Sequence, residues 1–236
     1  MKLSRYAGVT VSWLALSLSL GGQEKNLMQS LHAEQDRALE TNPDLDFWQT
    51  PHPVFAQVDP QGHALAQFRT EIRSRWTKDD LYFLFICPYH QLYLKPSPDT
   101  IRETNQLWKW NVAEVFIGSD FDDIRRYKEF ELSPHDEWID LDINLNKPHH
   151  EQGWVWNSGF GHAARIDSRE HVWYAALRIP FAALGISPPG PGTTFRLNLF
   201  RTEGPPREQK EIMWQPTMST TFHVPERFGL LRLAEH

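Results

Sequence analysis

Apolar and polar residues alternate in short runs along most of the chain, with turn-forming residues between the runs. Residues 68–73 alternate strictly, residues 138–144 place their aliphatic side chains on one face, and residues 81–87 are continuously apolar. Side chains two apart share a face of a strand, so the first two runs predict half-buried strands and the third a strand buried on both faces. The runs recur about every ten residues, which predicts an all-β fold, an antiparallel β-sandwich of jelly-roll or immunoglobulin-like type.

The first 22 residues have the pattern of a secretory signal. Lys2 and Arg5 precede an uncharged apolar stretch at residues 6–20, and Gly21 and Gly22 follow it. This stretch is shorter than the roughly 20 residues that a membrane-spanning helix needs. We therefore predict a signal peptide at 1–22, no stable membrane span after its cleavage, and a secreted or periplasmic location. An uncleaved N-terminal anchor is the alternative.

Residues 23–45 differ from the rest of the chain. They are polar and compatible with a helix, with a weak apolar stripe at Leu27, Leu31, Ala38 and Leu39. This spacing predicts a short N-terminal helical arm packed on the domain. The strand-like pattern begins after the arm, so residues 46–236 are predicted to form the sandwich.

The composition narrows the classes of function. A single cysteine, Cys87, in 236 residues excludes an intramolecular disulfide framework and a Cys-rich zinc site. The net charge of −6, with charges of both signs interspersed, disfavours nucleic acid as a partner. Ten tryptophans are many for one domain, and because a buried indole N–H needs a partner, some are expected to face a ligand. Trp48, Trp76 and Trp173 lie in strand-like contexts and are predicted to be core.

The densest group of candidate ligand-binding residues lies at 107–116. Trp108 and Trp110 are two residues apart, so in an extended segment their rings point the same way. Glu114 follows in a strand with apolar neighbours. An indole can stack on the apolar face of a sugar ring while a carboxylate accepts hydrogen bonds from the hydroxyls. The pattern predicts a carbohydrate site. The alternative is that one of the two tryptophans is core and that Glu114 pairs with an arginine.

Three further tryptophans are candidates for the same site. Trp154 and Trp156 are again two apart, in a glycine-rich segment that forms either a binding rim or a plug over the open end of the sandwich. Trp214 lies in a late loop beside Pro216, where it could form the opposing wall of a sugar slot or cover the edge of the sandwich.

An acidic loop offers candidate metal ligands. Asp120, Asp122 and Asp123 follow a Gly-Ser turn, and oxygen-rich loops suit calcium, which takes six to eight oxygen ligands. The spacing is not that of an EF-hand. A solvated acidic turn beside Arg125 and Arg126 is the alternative that we favour.

Several short motifs resemble those of family 9 carbohydrate-binding modules and occur in the same order. The run from Trp108 through Asn111 and Glu114 to Ile117 is similar to the family's W-x-x-D-x-V-E-x-F-I signature. Four other segments resemble the family's L-Y-x-x-F strand, its Y-x-E-F-E strand, its I-P-F turn and the closing motif of its stand-alone secreted group: 81–85, 127–132, 179–181 and 222–229. The resemblance spans roughly residues 47–233.

This resemblance implies a β-sandwich that binds a glycan between two tryptophans and holds structural calcium. Trp108 matches the first tryptophan and Glu114 the hydroxyl-binding acid, whereas Trp214 matches the second tryptophan by position alone. The chain also departs from the family, because Asn111 stands at the position of the signature aspartate and the family's sugar-binding arginine is not found in 127–132, where Glu129 and Glu131 stand. Asn111 is still predicted to be one of the carbohydrate-binding residues.

The sequence therefore predicts a secreted, non-catalytic carbohydrate-binding module of carbohydrate catabolism, with a glycan as its partner and no required cofactor. Two other functions stay open. One is a glycoside hydrolase that uses Glu114 with Glu129 or Glu131. The other is a haem-binding sandwich domain with Met213 and His223 as axial ligands.

Overall fold

A computed structural model describes residues 26–50, 52–186 and 189–235. The predicted signal peptide at 1–22 lies outside these residues. Within them the chain forms twelve β-strands and six short 3-10 helices, so the prediction of an all-β fold is confirmed. None of the helices in the described part is long and apolar enough to cross a membrane.

The strands are numbered in chain order. Their bounds are β1 Leu27–His32, β2 Val54–Ala56, β3 Thr70–Trp76, β4 Asp80–Pro88, β5 Ala113–Gly118, β6 Arg126–Leu132, β7 Trp138–Asn144, β8 Gly161–Asp167, β9 Val172–Pro180, β10 Thr194–Glu203, β11 Lys210–Met213 and β12 Gly229–Ala234. The 3-10 helices are Asp46–Trp48, Ala66–Phe68, Leu107–Lys109, His150–Val155, Phe181–Leu184 and Pro225–Arg227.

All twelve strands belong to one hydrogen-bonded sheet. Ten of them follow the order β7-β6-β5-β10-β12-β1-β3-β4-β9-β8, with β11 added to β10 and β2 to β3. The strand β1 runs parallel to both β12 and β3, whereas the other pairings are antiparallel. It therefore joins the two antiparallel halves of the sheet, β7-β6-β5-β10-β12 and β3-β4-β9-β8. The sequence pattern predicts these halves as separate layers of a sandwich.

The predicted N-terminal helical arm at 23–45 is not formed in its described part. Residues 27–32 are strand β1, and the segment that follows is irregular up to the 3-10 turn at Asp46–Trp48. Leu27, Met28 and Leu31 are buried, because the backbone groups of β1 pair with β12 on one side and β3 on the other. Pairing in the sheet outweighs a weak helical stripe, and β1 therefore belongs to the same sheet as the strands predicted for the sandwich.

The sheet encloses one large apolar core, and two smaller clusters lie outside this core. The second cluster lies on the other face of β5, β6 and β7, and the third contains Trp48. Trp48, Trp76 and Trp173 are at most 4% exposed, so their prediction as core residues is confirmed. The strand β5 is buried on both faces, since alternate residues face the two clusters: Val115 faces the main core and Phe116 the second cluster. This second face of β5, β6 and β7 carries the candidate site.

Candidate functional site

A cavity of about 320 Å³ lies on the second face of β5, β6 and β7, within the size range of small-molecule sites. Side chains of β5, β6 and β7 line one side of it. Residues of five other segments complete its walls. The lining residues are Trp108, Glu114, Phe116, Glu129, Leu141, Ile143, His150, Glu151, Thr202, Gln209, Glu211, Thr220, Thr221, Phe222 and His223.

Three glutamates converge beside this cavity. In the register of the sheet Glu114 on β5 lies opposite Glu131 on β6, and Glu129 is two residues before Glu131 on the same face. One carboxylate oxygen from each residue lies within 4.8 Å of the other two. All three residues are at most 4% exposed. Strand β6, which resembles the Y-x-E-F-E motif, thus places the carboxyl groups of Glu129 and Glu131 next to that of Glu114, the acid selected from the sequence.

The environment of these glutamates favours their uncharged forms. Burial raises the pKa of Glu114 well above its usual value, and the neighbouring carboxyl groups of Glu129 and Glu211 raise it further. Burial also raises the pKa of Glu131 well above its usual value, with Glu114 and Glu129 adding to the effect. Burial raises the pKa of Glu129 to about 7. The backbone N–H of Trp108 has a smaller, opposite effect and lowers the pKa of Glu131. Its position does not meet the geometric criteria for a hydrogen bond to either carboxyl oxygen of Glu131.

We expect the thermal stability of the protein in EDTA to fall as the pH rises from about 5 to about 8. A carboxyl group whose pKa is raised by folding binds more protons in the folded than in the unfolded state, so the free energy of unfolding decreases through this window, by about 1.4 kcal/mol per pKa unit. Replacing Glu131 with glutamine should flatten the slope and raise the melting temperature at the alkaline end. A melting temperature of the wild type that stays constant over this range would contradict the prediction.

The structure brings Trp108 to the cavity but not Trp110. Trp108 lies in the 3-10 turn Leu107–Lys109, and its half-buried side chain lines the cavity beside Glu114. The ring of Trp110 instead stacks on Tyr93, with 4.6 Å between ring centroids and 23° between planes. The two rings do not share a direction, because the segment is a helical turn and not the extended strand from which the common direction was predicted.

Asn111 lies beneath the site and does not line the cavity. Its side chain is fully buried, and its Oδ1 accepts hydrogen bonds from the backbone N–H groups of Tyr93 at 3.0 Å and Gly204 at 3.2 Å. Its own backbone N–H donates to the Tyr93 carbonyl at 3.0 Å. Its Nδ2 has no partner within the described part of the chain. Since only the acceptor oxygen is used, an aspartate, as in the family signature, could make the same two contacts.

The other three candidate tryptophans also lie away from the lining of the cavity. Trp214 is 8% exposed and packs in the main core, where its ring leaves no room for a Cβ at Gly229. The structure therefore does not place Trp214 opposite Trp108. Trp154 packs on the second cluster, and Trp156 packs on the main core with the ammonium of Lys128 4.3 Å from its ring centroid. This arrangement is that of a plug, one of the two alternatives for these rings.

The acidic loop at 120–123 uses its oxygens for local hydrogen bonds. Asp120 Oδ1 accepts from the backbone N–H groups of Asp122 and Asp123, each at 2.9 Å, and these bonds lower the pKa of Asp120. The Asp123 carboxylate accepts from the side-chain amide of Asn146. The geometry is that of a solvated acidic turn, and the assignment of calcium to this loop stays a prediction.

Two histidines and one phenylalanine of the cavity were not predicted for a sugar site. His223 Nδ1 lies 2.6 Å from the Tyr127 hydroxyl, and its ring centroid is 4.5 Å from that of His150. Burial, together with His150, lowers the pKa of His223 to about 4, so the ring is neutral at physiological pH. Phe222 stacks on Phe200 with 4.4 Å between centroids. Phe222 and His223 belong to the 222–229 motif and His150 to the 3-10 helix His150–Val155. The composition of these segments carries no signal that they line the same cavity as β5 and β6.

The cavity does not unite the predicted haem ligands, whereas it does unite two carboxyl groups of the hydrolase alternative. Met213 is fully buried and is not a lining residue of the cavity that His223 lines. Glu114 and Glu129 line one cavity, and burial raises the pKa of both. Glycosidases that form a covalent intermediate need one ionised and one protonated carboxyl group, so the hydrolase stays an open alternative that only an activity assay decides.

Comparison with protein-family models finds no match for the chain. In three dimensions it is similar to a family 9 carbohydrate-binding module from Caldicellulosiruptor kristjanssonii in complex with glucose, with a TM-score of 0.63 and 12% identity over 89% of this chain and 96% of that one. A structure of a family 9 module from the same organism in complex with cellotriose has the same TM-score and identity, over 89% of this chain and 94% of that one. The chain thus has the fold of these modules.

Two other proteins extend the comparison. A protein from Bacteroides uniformis that is provisionally described as carbohydrate-binding has a TM-score of 0.64 and 15% identity, over 88% of this chain and 99% of that one. A curated relative, an "Extracellular protein" of Arthroderma benhamiae, is 23% identical over 163 residues, which are 64% of this chain and 68% of the relative.

Proposed function

We propose that this chain, which has the fold of family 9 carbohydrate-binding modules, is a secreted, non-catalytic module that binds a glycan in the cavity beside Trp108. The observation that carries the proposal is that Trp108 and Glu114, the two residues matched to the family's sugar-binding positions, line the same cavity. The module structures similar to this chain are complexes with glucose and with cellotriose, which supports a carbohydrate as the ligand.

The chemistry of the cavity suits a sugar. The half-buried indole of Trp108 offers an apolar face to the C–H groups of a pyranose, and Phe222 supplies a second aromatic side chain to the same cavity. The carboxyl groups of Glu114 and Glu129 face the ligand from the sheet. In the metal-free protein their raised pKa values favour the protonated form, so each group can then donate as well as accept a hydrogen bond. In the ionised form each group accepts hydrogen bonds from the sugar hydroxyls.

Secretion is part of this proposal. Residues 1–22 have the order of charged, apolar and small residues found in signal peptides, and the relative from Arthroderma benhamiae is an extracellular protein. A buried thiol at Cys87 is compatible with an oxidising environment, because it is fully inaccessible and its pKa is raised to about 12.

The experiment that tests this function measures retention of the purified protein in native gels cast with soluble polysaccharides, followed by calorimetric titration with glucose and cellotriose. We expect retention by at least one β-linked glucan and saturable binding of its oligosaccharide. The absence of both retention and binding across a broad glycan panel would overturn the proposal. Reducing sugar released by the wild type but not by a Glu114→Gln variant would instead establish the hydrolase.

A further inference from the structure

The buried glutamates beside the cavity have the geometry of a metal-ligand set. One oxygen from each of Glu114, Glu129 and Glu131 lies within 4.8 Å of the other two. Two ligands on opposite sides of a calcium ion lie about 4.6–5.2 Å apart, since calcium binds oxygen at about 2.3–2.6 Å. Separations of up to 4.8 Å therefore fall within the span that the oxygen ligands of one calcium ion can cover.

A second observation is independent of this spacing. Four oxygens of the three residues are buried and have no hydrogen-bond partner among the described residues: Glu114 Oε1, Glu129 Oε2, Glu131 Oε1 and Glu131 Oε2. Glu131 is the most extreme case, because it is fully buried and both of its oxygens lack a partner. Buried polar atoms normally have a hydrogen-bond partner. A buried carboxylate without one therefore indicates a bound ion or ligand that supplies the missing contacts.

Within the described ranges, none of the ion pairs that the structure forms involves these three residues. A fourth acidic residue, Glu211, lines the same cavity and adds to the repulsion on Glu114. Two other buried acids have cations as partners: Glu137 lies 3.1 Å from the Lys95 ammonium, and Glu203 pairs with Arg201. The three glutamates thus form a group of buried acids without a cation from the described part of the protein.

The cavity gives an ion access to the cluster. Glu114 and Glu129 line it, whereas Glu131 lies behind them on the sheet. Three carboxylates from two adjacent strands form a rigid, all-oxygen set, which suits a hard cation and not a thiophilic metal. The cavity side leaves open positions that water or another oxygen ligand can fill.

We infer that Glu114, Glu129 and Glu131 bind a single calcium ion at the inner wall of the cavity. The site is separate from the acidic loop at 120–123, which lies after β5 and uses its oxygens for its own turn. The inference does not depend on the proposed function, because the ion needs only the protein's own carboxylates and can be measured without any glycan.

Terbium titration of the EDTA-treated full chain tests this site, with luminescence excited through tryptophan and calcium used as the displacing ion. Terbium(III) takes the oxygen ligands of calcium, and Trp108 lines the same cavity as Glu114 and Glu129, so its indole can act as the donor of excitation energy. We expect one saturable site per chain, with full displacement by calcium. Replacing Glu131 with glutamine should weaken binding at least about tenfold, the lower limit seen when a supporting group is lost from a metal site.

Two further variants make the result decisive. Asp120→Asn is the matched control, since it removes an acidic group from the exposed loop, and it should leave the titration unchanged. Glu129→Gln provides a second test, should Glu131→Gln fail to fold by circular dichroism. A wild type without saturable binding, binding unchanged in both glutamate variants, or binding lost in Asp120→Asn would each overturn the inference. If glycan binding fails while calcium binding is retained, only the proposed function falls.

Discussion

Replacing Trp108 with alanine is expected to abolish glycan retention while leaving the fold intact. The indole is the aromatic face that the cavity presents beside Glu114, and removal of a central aromatic anchor from a binding site costs about 2 kcal/mol or more, which is roughly a 30-fold loss of affinity. The ring is half-buried and outside the main core, so its loss should affect stability much less than binding. Calorimetric titration with the oligosaccharide that the wild type binds measures the effect.

Trp110→Ala is the matched control for this variant. It removes the same side chain only two residues away, but its ring stacks on Tyr93 and does not line the cavity. We expect it to retain nearly full affinity while losing some stability. Equal losses of binding in the two variants would show that the binding surface is not the cavity, and a Trp108 variant with unchanged affinity would exclude the stacking role of that residue.

Replacing Asn111 with alanine is expected to destabilise the protein by about 2–4 kcal/mol. The substitution leaves two backbone N–H groups, those of Tyr93 and Gly204, without the acceptor that they share. Each buried donor left unsatisfied costs about 1–3 kcal/mol, and the side chain is fully buried, so water cannot easily replace the amide. The free energy of unfolding from urea denaturation, followed by circular dichroism, measures the loss.

Asn157→Ala provides the comparison for Asn111. Asn157 is exposed, and its side chain accepts a single bond from the backbone N–H of Gly159 at 2.9 Å. We expect a change of about 0.5 kcal/mol or less, as for most surface positions. If Asn111→Ala keeps its stability but loses glycan binding, Asn111 contacts the ligand directly, and it is not the internal bridge between the backbone groups of Tyr93 and Gly204.

The position of Glu131 shows how a pattern can predict a residue's face but not its neighbours. The alternation in 127–132 predicts a strand with Glu129 and Glu131 on one face, and this is what β6 has. The cluster arises only because β6 pairs with β5 in a register that sets Glu131 opposite Glu114. Register depends on contacts between distant segments and on the turn that joins them, so the spacing of residues within one strand does not contain it.

The N-terminal segment and the tryptophans also show that local sequence patterns do not determine tertiary contacts. Local periodicity in 23–45 favours a helix, yet residues 27–32 pair with β12 and β3 and form a strand of the sheet. The rings of Trp110 and Trp214 satisfy the same local criteria as Trp108, but stacking on Tyr93 and packing against Gly229 remove them from the cavity. Short-range patterns do not predict such contacts, because the contacting residues are remote in sequence.

By itself, the sequence determined the all-β class and the core positions of Trp48, Trp76 and Trp173, and it selected Trp108 and Glu114 as candidate site residues, since these follow from alternation, composition and ordered motifs. The tertiary structure alone decided that β1 joins the sheet, that Asn111 is an internal bridge, and that three glutamates share one buried place beside the cavity. The physical reason is that burial and electrostatic environment depend on which remote strands meet, and that is settled by the fold as a whole and not by any segment of the chain.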